Sequence, residues 1–136
     1  MTSAQYKLAT SKLNTRLFIP YQRDGVEWML GMENQTMGPK GGFLCDEMGL
    51  GKTVQLISTL LGNPKQRTLI IVPKSIIAQW VEEINHFAPS LFVRVFDGPG
   101  RELDWELLDS PEKCSVTIAP YSLVSAKSEL HNPRWD

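Results

Sequence analysis

The chain is predicted to be an α/β domain built on a mostly parallel sheet with helices on both faces, and three observations carry that prediction. Apolar or β-branched runs of strand length alternate with helix-periodic segments four times, the pattern of βαβ units. A glycine-rich turn, Asp46-Glu47-Met48-Gly49-Leu50-Gly51-Lys52-Thr53, stands between the first such run and the helix pattern after it. That strand–loop–helix order turns backbone N–H groups and a helix N-terminus toward a phosphate. Finally, this turn, Pro73-Lys74-Ser75 and Ala119-Pro120-Tyr121 each stand at the end of an expected strand. All three then fall at carboxyl ends of strands, where open α/β sheets bind ligands.

Taken in order, residues 1–16 are polar and weakly patterned and read as an N-terminal arm, free to be disordered. Leu17-Phe18-Ile19-Pro20 leads into a helix. Pro20 suits its first turn, because the donor it lacks would be unpaired there anyway, and Val26, Met29 and Leu30 supply a short apolar face. Gly38-Pro39 breaks that helix. A strand is expected at about residues 42–45 (Gly42-Phe43-Leu44-Cys45), then the phosphate loop, then a helix to about Leu61 that Gly62-Asn63-Pro64 terminates. Thr68-Leu69-Ile70-Ile71-Val72 is a continuous β-branched run, expected to be a strand covered on both faces. Ile77, Trp80, Val81 and Ile84 have the spacing of an amphipathic helix that ends near Phe87, and Trp80 lies on its apolar face, the place of a core residue. Phe92-Val93-Arg94-Val95-Phe96 reads as a strand, Asp97-Gly98-Pro99-Gly100 as a loop, and Leu103, Leu107 and Leu108 as a short helix. Ser115-Val116-Thr117-Ile118-Ala119 is a further strand, after which Pro120-Tyr121 opens a turn or helix.

Composition narrows the function. With 136 residues, 42% of them hydrophobic, the chain is long enough to bury a real core. Its formal net charge of −1 lacks the basic surplus of a dedicated nucleic-acid-binding domain, so any such contact must be local. Cys45 and Cys114 lie in or beside expected strands and read as small apolar filler in a reducing, intracellular setting. There is no CxxC spacing, no signal-peptide pattern and no apolar run near eighteen residues, so a soluble, unexported chain is expected. His86 and His131 match no catalytic pattern.

The chemistry concentrates in residues 46–53. Glycine is needed where the backbone approaches a ligand closely or takes φ > 0, which Gly49 and Gly51 permit. Lys52 can reach β- and γ-phosphates, and the Thr53 hydroxyl can hold Mg²⁺. The general pattern asks for a further glycine where Asp46 stands. A glycine-rich turn with a surface lysine is the plainer alternative, and the intact Gly-Lys-Thr in its strand-and-helix context argues against it.

Four blocks then resemble one family. Residues 46–53 are similar to the phosphate-loop motif of the Swi/Snf-type ATPases, the chromatin-remodelling and DNA-repair branch of helicase superfamily two. Pro20-Tyr21-Gln22-Arg23-Asp24-Gly25-Val26-Glu27-Trp28 resembles the family's upstream glutamine motif. Leu69-Ile70-Ile71-Val72-Pro73-Lys74-Ser75 with Gln79-Trp80, and Val116-Thr117-Ile118-Ala119-Pro120-Tyr121, resemble two later blocks. The resemblance covers residues 17–136 and implies the N-terminal portion of the first RecA-like, three-layer helicase ATP-binding lobe. It implies that Gln22 bonds the adenine edge, that Asp46, Glu47, Met48, Gly49, Leu50, Gly51, Lys52 and Thr53 hold ATP with Mg²⁺, and that Pro73, Lys74, Ser75 and Tyr121 meet DNA. A glutamine amide both donates and accepts, matching adenine N6 and N7. A lysine and a hydroxyl at a helix start suit a phosphate oxygen, a contact without sequence information. Capping by Ser75 is the alternative there, and both can hold. Ala119-Pro120 stand where the family often has threonines, so a side-chain hydroxyl contact is not carried over.

In this family an Asp-Glu-x-His motif lies a few residues beyond the position of Trp135, and a second lobe supplies arginines to the γ-phosphate. No such acidic pair follows an expected strand, and Asp46-Glu47 precede the loop. The expectation is therefore an incomplete lobe, truncated before the Asp-Glu-x-His strand, that holds part of an ATP site and hydrolyses little alone. The expected function is the ATP-binding segment of an ATP-dependent double-stranded DNA translocase, with DNA, nucleosomes and the remainder of the motor as partners. Its compartment is nuclear in a eukaryote, or that of a large DNA virus. A truncated, non-hydrolytic regulator that binds nucleotide or a partner is the alternative. A small-molecule kinase would leave the glutamine motif without purpose.

Overall fold

The computed structural model describes residues 3–15, 17, 21–38, 40–42, 44, 51–125 and 128–136. These residues form two compact units, Met1–Pro64 with His86–Ala88, and Lys65–Asn85 with Pro89–Asp136.

The first unit is helical: α1 (Ser3–Lys12), α2 (Tyr21–Asn34) and α3 (Lys52–Gly62). Its core is Ala9, Leu13, Val26, Leu30, Val54, Ile57 and Leu61. The expected N-terminal arm is thus a helix that buries Ala9, and Leu13 just beyond it is buried too. Its sequence shows no apolar stripe, because a single small residue makes the close contact. A Cβ at Gly62 would stand 2.9 Å from the Gln5 carbonyl oxygen and 3.2 Å from Ala9 Cβ, so α1 rests on a glycine of α3. Gly62 does sit at the end of α3, as expected, and Asn63 closes it by donating to the Thr59 carbonyl at 3.0 Å. Helix α2 ends at Asn34, just before the expected breaker. Ser58 and Thr59 are buried in α3, yet their hydroxyls donate to the Val54 and Gln55 carbonyls at 2.7 and 3.0 Å, which removes the cost of burying them.

The second unit holds β1 (Arg67–Val72), α4 (Ile77–Phe87, as far as Asn85), β2 (Phe92–Val95), α5 (Trp105–Leu108), β3 (Ser115–Pro120) and α6 (Tyr121–Ser125). The sheet is parallel, in the order β1-β3-β2. Every residue of β3 is buried, whereas β1 is half-buried up to Val72. The expectation that residues 68–72 are covered on both faces is therefore corrected. Among the described residues β1 pairs with β3 alone, and the doubly covered strand is the less apolar β3. Phe96, Leu103, Leu108, Ala119 and Leu130 form the unit's core, with Leu69, Leu123 and Trp135 packed against it. Asp104 caps α5 by accepting from the Leu107 amide at 3.1 Å. Trp80, expected in a core, is half-buried, while Ile77 and Ile84 of the same stripe are buried. Of the strand expected at residues 42–45, Gly42 and Leu44 are in no regular element, and Phe43 and Cys45 lie outside the described residues. No described helix is long and apolar enough to cross a membrane.

Candidate functional site

Asp46, Glu47, Met48, Gly49 and Leu50 lie outside the described residues, so the geometry of the expected phosphate loop starts at Gly51. Gly51 caps α3 with φ 76° and ψ 45°, left-handed backbone that a side chain would strain, and its carbonyl accepts the first helical bond from Gln55 N at 3.2 Å. Lys52 and Thr53 follow as the opening residues of the helix, both half-buried. The cation and the hydroxyl are thereby placed in the turn where N–H groups lack intrahelical partners.

Gln22, twenty-nine residues upstream of Gly51, joins this turn. It is buried on α2, and a methyl group at Gly51 would overlap its amide nitrogen and stand 3.2 Å from Val54 Cγ1. Glycine leaves the amide room in the position it holds. Helix α2 also lays Trp28 over Gly42, where an added Cβ would be 2.6 Å from Cη2 of the indole. The glutamine motif and the start of the phosphate-loop helix, read separately from the sequence, are one piece of structure.

In the second unit, register explains the other candidates. Val72 pairs with Pro120 and Val95 with Ile118, so Pro73, Lys74 and Ser75, then Tyr121, then Phe96 and Asp97 leave the sheet side by side at its carboxyl edge. Pro73, Lys74, Ser75 and Tyr121 are all exposed. Lys74 and Ser75 belong to a single 3₁₀ turn, Lys74–Ile76, that Pro73 precedes without a side-chain cap. The Lys74 ammonium reaches past β3 to Asp97, with Nζ 3.6 Å from Oδ2, and the lysine is far more exposed than its partner. Sequence reasoning passed over Asp97, although the rule that selected Lys74, a polar residue just beyond a strand, applies equally to it. Next to Asp97, a cleft of about 490 Å³ is lined by Phe96, Gly100, Arg101, Ser128, Glu129 and Asn132.

A three-stranded parallel sheet and a glycine-capped helix that opens with Lys-Thr define the class as an α/β protein. Within it, residues 21–136 match the model of the SNF2-related domain, and the chain belongs to that family. It is 42% identical over 94 residues to the ATP-dependent helicase rhp16 of Schizosaccharomyces pombe, a match that covers 68% of this chain and 11% of that protein. It is 35% identical over 123 residues to YwqA, a putative ATP-dependent helicase/translocase of Bacillus subtilis, over 86% of this chain and 13% of the other. The fold superposes on the Sulfolobus solfataricus SWI2/SNF2 ATPase core in complex with dsDNA at a TM-score of 0.75 and 30% identity, over 91% of this chain and 25% of that one. The chain therefore spans about a tenth of these curated relatives and a quarter of that core.

Proposed function

We propose that this chain carries the ATP-binding segment of the first RecA-like lobe of a double-stranded DNA translocase, used in chromatin remodelling or DNA repair. The observation that carries the reading is the seat of the Gln22 amide against Gly51, directly before Lys52 and Thr53. A base-reading amide and a phosphate-reading turn stand together, as one nucleotide requires.

In this reading Gln22 accepts from adenine N6 and donates to N7. Backbone N–H groups at the start of α3 and the Lys52 ammonium hold the triphosphate, and the Thr53 hydroxyl holds Mg²⁺, which when bound screens the phosphate charge. Residues 46–50 complete the cradle. Pro73, Lys74, Ser75 and Tyr121 line one edge that grips a DNA backbone without reading bases. The acidic pair and arginines that phosphoryl transfer also needs come from other parts of the motor. In a eukaryote such a motor works in the nucleus, with nucleosomal DNA among its substrates. Relatives named for DNA excision repair and for a chromatin structure-remodelling complex support this assignment.

The test is Lys52→Ala in the intact protein. DNA-stimulated ATP turnover is expected to vanish while circular dichroism stays unchanged. Turnover near the level of the unaltered protein overturns the assignment.

A further inference from the structure

The two helices of the nucleotide site meet through a reciprocal exchange. Gln22 of α2 fills the space that a Cβ at Gly51, the cap of α3, would occupy. In return Gln55 of α3 fills the space that a Cβ at Gly25 of α2 would occupy: a methyl there would overlap Oε1 and stand 3.1 Å from Cδ. Gln22 and Gly25 are three residues apart, and Gly51 and Gln55 four, so each pair lies along one helix face. Gln55 is completely buried and Gln22 nearly so. A glycine inside a helix costs about 1 kcal/mol against alanine, and at Gly25 that cost makes room for the Gln55 side chain.

We propose that Gly25 and Gln55 are positioning residues that set nucleobase specificity, resting on the assignment of Gln22 to adenine. Gln55 acts as a stop that fixes how deeply α2 seats on α3. Gln22, less than one turn from Gly25, takes its depth over Gly51 from that stop. Adenine offers a donor at N6 beside an acceptor at N7, whereas guanine offers two acceptors. A correctly seated amide therefore favours ATP over GTP, and a displaced one does not. Lys52 belongs to α3 itself, so the phosphate grip is independent of where α2 sits.

The experiment titrates the chain with ATP, GTP and inorganic triphosphate, and follows its melting temperature. Gly25→Ala adds a methyl against Gln55 and pushes α2 outward. The ratio of ATP to GTP affinity is expected to fall about tenfold, the equivalent of about 1.4 kcal/mol, with triphosphate affinity unchanged. Gln55→Asn alone shortens the stop and lowers the ratio from the other direction, which keeps the test open should Gly25→Ala fold poorly. The double variant Gly25→Ala with Gln55→Asn conserves volume and is expected to recover both the ratio and the melting temperature beyond the sum of the single changes. A folded Gly25→Ala chain with its full preference for ATP, or a double variant no better than additive, overturns the proposal. Equal affinity for ATP and GTP in the unaltered chain defeats the adenine assignment of Gln22 itself. The melting temperatures of the four proteins separate that failure from failure of the stop.

Discussion

The helical unit that carries Gln22 and Lys52 and the sheet unit that carries Lys74 and Tyr121 are each packed internally, by opposite means. In the first, helices approach because side chains are missing: Gly25 makes room for Gln55, Gly51 for Gln22, and Gly62 for α1. In the second, strands are held by side chains that fill space, with Phe96, Leu108 and Leu130 in the core and Ile118 fully buried on β3. Packing through glycines is broken by adding atoms, whereas packing around a full core is broken by removing them. The contrast also bears on function. A close, glycine-based contact tolerates little displacement and suits a site that reads a base edge. At the carboxyl edge of the sheet Lys74 and Tyr121 are exposed, and under the proposed function their contact with a phosphate backbone needs less precision.

Three expectations test the contrast. The largest effect belongs to Ile118→Ala, which empties space on the central strand and should cost about 2–5 kcal/mol. Denaturant unfolding measures the total, and residue-resolved amide exchange should show the loss in β1, β2 and β3. Protection lost first in α1–α3 would contradict the division. Gly62→Ala should cost less, because two terms oppose each other. Alanine gains up to about 1 kcal/mol of helix propensity, while the crowding against the Gln5 carbonyl and Ala9 costs about 1–3 kcal/mol. A net loss confined to α1 and α3 is expected; a gain in stability would show that α1 yields freely. The smallest effect concerns Lys74. Lys74→Ala should weaken binding of the intact protein to DNA and reduce its salt slope by about one. Asp97→Asn should strengthen binding only a few-fold at low salt, since an exposed ion pair is worth at most about 1 kcal/mol. An unchanged slope in the first variant confines Lys74 to its ion pair with Asp97, and weaker binding in the second makes Asp97 a group that orients Lys74.

The strands over residues 67–72, 92–95 and 115–120 and the helices over 21–34, 52–62 and 77–87 were legible in the sequence, because period and punctuation are written within a dozen neighbouring residues. So were Lys52 and Thr53 at a helix start and the family itself, since both rest on short, ordered strings. Helix α1 was not legible, because Ala9 becomes core only against Gly62. Nor was the order of burial among strands. Residues 68–72 look like the most buried strand by composition, yet β3 occupies the centre of the sheet, and position among partners decides coverage.

By itself the chain's order of residues determined most of the helices and strands, that the strands run parallel, and that Lys52 and Thr53 open a helix. Tertiary structure alone decided that two glutamines exchange places with two glycines, that Lys74 meets Asp97, and that Ala9 belongs to the core. The reason is physical. Secondary structure follows from steric and hydrogen-bonding rules that act over a few residues, whereas these contacts join groups more than twenty positions apart, whose fit depends on shapes that exist only once the helices and strands have packed.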